Sequence, residues 1–168
     1  MTFGRWFLAA ALAATPGVAA AEEGAGCGAF RWSLDHERAA LIRPDKPSLA
    51  NGGALAYDRA MTLDLAPLSG AGLPKAPERA PKSQQSFAGH FTIPAPPKPG
   101  VYKLTISSES WIDVLDSDDY LHPTAFTGAA SCEGARKSVK FDLPARPLAI
   151  QFSGVKDSKI SVIVSPDQ

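Results

Sequence analysis

The strongest constraint in this sequence is a repeated alternation of period two. Val139, Phe141 and Leu143 alternate with Ser138, Lys140 and Asp142. Phe87, Gly89, Phe91 and Ile93 share one phase, as do Tyr102, Leu104 and Ile106. Leu148, Ile150 and Phe152 form another set, and Ile160, Val162 and Val164 the last. Leu55, Tyr57, Met61, Leu63 and Leu65 keep mostly to the same beat. Successive strand side chains point to opposite faces, so each run predicts a half-buried strand. Phe30, Trp32 and Leu34 also alternate, before a charged stretch from Asp35 to Arg38 that either ends a strand or opens a single helical turn. Trp111 to Leu115 is an apolar run interrupted by Asp113. The runs recur at roughly ten-residue spacing and are separated by Pro99-Gly100, the acidic stretch Asp116 to Asp119, Pro144 to Pro147, and Ser153 to Ser158, a pattern that predicts an antiparallel arrangement. The expected fold is all-β, a jelly-roll-like antiparallel β-sandwich of about 7–9 strands. No amphipathic helix is expected in the domain.

The N-terminus reads differently. Arg5 precedes an apolar run from Trp6 to Ala14, too short for the ~20 residues that a membrane-spanning helix needs. Pro16-Gly17 then breaks the run, and small residues at Ala19 and Ala21 precede Glu22-Glu23. This order of features predicts a secretory signal peptide over residues 1–21, cleaved after Ala21 or after Ala20. A lipoprotein would use Cys27, but Gly24-Ala25-Gly26 lacks the usual aliphatic residue before it. The remainder, residues 22–168, is expected to be one domain, periplasmic or secreted, with no membrane span.

Export bears on the two cysteines, Cys27 and Cys132. An oxidising compartment favours pairing them, and no C-x-x-C or neighbouring His points to a metal or redox role. A disulfide would close nearly the whole domain and contribute about 4–5 kcal/mol by the chain-entropy account.

Charge excludes some partners. Seventeen basic residues balance 17 acidic ones, with no basic patch interleaved with aromatics, so nucleic acid is not expected. Residues 66–85 resist strand assignment, with Pro67, Pro74, Pro77 and Pro81 among them. Such a stretch is either a proline-stiffened loop lying over the sandwich or a binding loop. Residues 94–100 hold four further prolines.

The second half resembles a known family. Gly100-Val101-Tyr102-Lys103-Leu104, Trp111-Ile112-Asp113-Val114, and the C-x-G-x-R-K-x-V stretch from Cys132 to Val139 are similar to small proteobacterial periplasmic proteins of uncharacterised function. Phe30 to Leu34 and Leu63 to Pro67 fit the same family less sharply. Members sometimes carry a homogentisate 1,2-dioxygenase label. That label implies Fe(II) held by two His and one carboxylate, but the resemblance supplies no catalytic residue. The G-x-Y-x-L and W-I-D-V strands are also similar to β-sandwich modules that accompany secreted enzymes and bind without catalysing.

The residues themselves give three candidate chemistries. The only histidines, His36, His90 and His122, lie on separate elements, with no H-x-H among them. Asp113, Asp116, Asp118, Asp119 and His122 lie close together and offer hard donors to a divalent cation, against the alternative of a solvated acidic hairpin. No G-x-S-x-G or phosphate-cradling glycine loop is present. The most informative set is Trp111, Asp113, Arg136 and Lys137. Trp111 is either core or an aromatic platform flanked by charges, suited to an anionic or sugar-like ligand. An inward Asp113 would need a partner, and Arg136 is a candidate. The expectation is a non-catalytic binding protein whose partner is a small ligand or another periplasmic protein, with no cofactor. The alternatives are a small metal-dependent oxygenase and a structural accessory of an envelope complex.

Overall fold

The computed structural model describes residues 24–167. The leader expected over residues 1–21 lies outside them. Among the described residues no helix is long and apolar enough to cross a membrane.

The described residues build one α-helix, α1 (Asp35–Leu41), and eleven strands: β1 (Ser48–Leu49), β2 (Met61–Asp64), β3 (Ala66–Pro67), β4 (Phe87–Ile93), β5 (Gly100–Ile106), β6 (Trp111–Asp116), β7 (Asp119–Leu121), β8 (Ala125–Gly128), β9 (Lys137–Leu143), β10 (Leu148–Val155) and β11 (Lys159–Pro166). They form a six-stranded sheet, β1-β2-β11-β5-β9-β8, and a five-stranded sheet, β3-β4-β10-β6-β7. The antiparallel pairs nest: β2 with β11, β4 with β10, β5 with β9, and β6 with β7. A ribbon of nested pairs, wrapped so that alternate pairs fall in opposite sheets, is a jelly roll.

The alternating residues meet between the sheets. Phe91, Phe141, Phe152, Leu63, Leu104, Ile150 and Val164 are all at most 1% exposed and belong to one cluster. Phe91 and Phe152 touch edge to face, with centroids 6.1 Å apart. Each such side chain contributes roughly 1.5–3 kcal/mol by leaving water.

Strand number and pairing depart from expectation in two ways. Eleven strands exceed the expected number because β1, β3 and β7 are two- or three-residue edges, too short to alternate. One pair, β1 with β2, is parallel.

Phe30 to Leu34 forms no strand, and of the two outcomes open to the charged stretch it takes the helical one, opening α1, which runs for seven residues rather than a single turn. Asp35 and Glu37 in its first turn complement the helix dipole. Tertiary packing sustains so short a helix: Leu41 and Ala40 pack on Ile163 and Ala60, over the outer face of the six-stranded sheet. Glu37 (1% exposed) enters the same contact, reached by Lys103 Nζ at 2.8 Å and by the Ser165 hydroxyl at 2.5 Å. Beside α1, Trp32 Nε1 donates to Ser138 Oγ, which also accepts from Thr105. Cys27 and Cys132 form the expected disulfide, spanning 105 positions and fastening this N-terminal cover to the loop before β9.

The proline-rich segment covers the outer face of the other sheet. After β3 it makes a short 3-10 turn, Leu68–Gly70, and buries Ala71. Further on, Tyr120 donates to the Ala76 carbonyl, Lys75 reaches the Asp118 carbonyl, and the Glu78 amide donates to Asp113 Oδ2 at 3.3 Å. The segment is therefore a strap tied to β6 and β7.

Candidate functional site

The strap, the β5–β6 connection and the β10–β11 turn border an open groove of about 730 Å³ that Trp111 lines. That size suits a small ligand. β6 explains why Trp111 faces it. Ile112 and Val114 take the core phase, which puts Trp111 and Asp113 on the outer face under the strap.

Asp113 anchors the site. It is 4% exposed and accepts from Trp111 Nε1 at 2.6 Å and from Gln151 Nε2 at 2.9 Å, besides the Glu78 amide. Burying a carboxylate is costly unless donors surround it, and here β6, β10 and the strap each supply one. Trp111 is half-buried and its indole plane is fixed by this bond. The Arg79 guanidinium and the Lys137 ammonium each lie 5.5 Å from its ring centroid, within cation–π range. Lys137 also donates to the Ser110 carbonyl at 3.1 Å.

Sequence reasoning had grouped Trp111, Asp113, Arg136 and Lys137. The structure brings Trp111, Asp113 and Lys137 together. Arg136 is not the partner of Asp113; its guanidinium holds Glu109, on the groove wall, at 3.0 Å. Asp113 lies on β6 of the five-stranded sheet and Arg136 just before β9 of the other, and Asp113 finds its donors within its own sheet and the strap.

The acidic stretch does not converge. Asp116 is gripped by Arg146, whose hydrogen bonds hold its carboxyl below the usual range. Asp118 and Asp119 are exposed, and His122 Nδ1 lies 3.6 Å from Glu78. Among the described residues no group of three or more His, Cys, Asp or Glu is placed to hold a metal ion. His36 faces Asp58 at the surface, while His90 sits on β4 beside Gln151 of β10.

Sequence reasoning missed Arg79, Gln151 and Ser153. Gln151 and Ser153 pair across the ladder with Asp113 and Trp111. Their signal was polarity on the outer phase of β10, between Ile150 and Phe152 and just beyond. At Ser153 the strand leaves its register with β4, and Gly154 takes a φ of 72°, a left-handed conformation that glycine adopts without steric cost at a bulge. Three buried side-chain atoms among the described residues have no hydrogen-bond partner: His90 Nδ1, Gln151 Oε1 and Ser153 Oγ. All three lie on this sheet's outer face, and Ser153 lines the groove. Native structures leave few such atoms, and each calls for a physical account.

No protein-family model matches the chain, and no curated protein or solved structure matches it either.

Proposed function

We propose that this protein is a non-catalytic binding domain, exported to the periplasm or the cell exterior, whose ligand occupies the groove at Trp111. The observation that carries the reading is the indole itself, fixed by Asp113 at the wall of a groove with Arg79 and Lys137 at 5.5 Å from the ring. A fixed aromatic face with cations beside it is preorganised, so little ordering entropy opposes an anionic ligand. Export is supported by the leader pattern and by the Cys27–Cys132 bond, which persists in oxidising compartments. We also group the chain with the small periplasmic proteins that its W-I-D-V and C-x-G-x-R-K-x-V stretches resemble, on those stretches alone.

The test is a nitrogen-15 NMR screen of the purified protein against small carboxylates and neutral sugars. Shifts at the Trp111 indole N–H, Ser110 and Ser153 are expected. Shifts confined to a distant feature, such as exposed Phe126 on β8, would count against the groove.

A further inference from the structure

The groove's polar inventory narrows what it takes, provided that it is the ligand site argued above. Arg79, Lys82 and Lys156 line it, and none forms an ion pair with a described carboxylate. Two acids share its wall: Glu109 is already held by Arg136, and Asp157 is exposed beside Lys156, so the cations outnumber the acids left to balance them. The cations therefore call for a negative charge on the ligand. Ser153 Oγ, on the groove wall, calls for something else. It is buried without a partner, as is Gln151 Oε1 two positions along the same face of β10 but outside the lining. A hydroxyl both donates and accepts, so a partner able to do both satisfies it best. A deprotonated inorganic anion has no donor and no apolar face. A sugar ring has hydroxyl donors and a C–H face for the indole. A carboxylate on that ring supplies the charge.

We propose that the groove binds an acidic glycan, a saccharide containing a hexuronate. Its ring lies against Trp111, its carboxylate meets Arg79 or Lys156, and one hydroxyl bonds to Ser153.

Isothermal titration of the purified protein with trigalacturonate, maltotriose and tripolyphosphate separates the possibilities. Trigalacturonate should bind at least about tenfold tighter than either of the others. Its affinity should fall several-fold as salt rises from about 0.05 to about 0.5 M, because exposed charges are screened. Arg79→Gln and Lys156→Gln, both surface changes, should each weaken it about fivefold. Ser153→Ala should weaken binding without lowering the thermal midpoint, an outcome that a merely structural serine would not give. Trp111→Phe tests the stacking face, and if that variant fails to fold the two surface variants still decide. Equal affinity for maltotriose would overturn the acidic requirement. Tighter binding of tripolyphosphate would overturn the glycan while leaving the groove as an anion site. Silence from all three probes, with no shift of the Trp111 indole signal, would overturn both this inference and the function it rests on.

Discussion

The two outer faces of the sandwich are both roofed, yet by different means. Over the six-stranded sheet, α1 and the N-terminal segment meet Lys103, Ser165, Ser138 and Thr105, and each of these polar groups has a partner. A covalent bond fastens that roof at Cys132. Over the five-stranded sheet the strap is held by noncovalent contacts, and on that sheet's outer face His90, Gln151 and Ser153 each keep an unpartnered atom. Unpaired buried polar atoms oppose folding. The two roofs thus differ in how far the polar groups beneath them are met by partners.

The largest expected effect concerns the fastening. Replacing both cysteines, Cys27→Ser with Cys132→Ser, should lower stability by about 4–5 kcal/mol in urea titrations. A loss near zero would mean that the N-terminal roof is no better held than the strap. Next come two buried serines in equivalent settings, Ser165 on β11 and Ser153 on β10, 2% and 1% exposed. Ser165→Ala removes a hydrogen bond to the Glu37 carboxylate and should cost about 1.5–3 kcal/mol. Ser153→Ala removes an orphan and should be neutral or raise stability by up to about 1 kcal/mol. Equal losses at the two serines would erase the contrast between the faces.

Acid titration addresses the same contrast. Burial pushes the Glu37 carboxyl up, but hydrogen bonds from Lys103 and Ser165 and the ammonium's charge outweigh it, and the net value lies below 4.5. A carboxyl depressed in the folded state stabilises the fold above its unfolded value of about 4.3 and loses that contribution as pH falls through the folded one. Stability should therefore decline in this window, and Glu37→Gln should flatten the decline, as chemical unfolding at about pH 7 and about pH 3 would reveal. An unchanged slope would remove Glu37 from the roof's account. The smallest effect is dynamic: strap amides around Glu78 should exchange with deuterium faster than those of α1, since few bonds hold the strap.

The core was legible because alternation is a local pattern. Phe91, Leu104, Phe141, Ile150 and Val162 all point inward as their phase predicts. α1 was legible only as one of two alternatives for the Asp35 to Arg38 stretch, because seven residues carry little periodicity and its packing partner Ile163 lies far along the chain. β7 and β8 were hidden for a related reason: one is three residues long, and the other exposes Phe126 while burying Thr127. Trp111, Asp113 and Lys137 were found because an acid and an indole interrupt an otherwise apolar run. Arg79 and Ser153 were not, since only the closed fold brings the strap and the β10 bulge to them.

The nesting of strand pairs has a consequence for how the molecule comes into being. β2, near the beginning of the sandwich, finds its antiparallel neighbour in β11, at the far end. No nascent fragment can close that sheet, and such remote pairing makes folding slow. Closure of the roll therefore waits on β11, and a chain in which that strand is still unavailable leaves β2 and β5 without their shared neighbour.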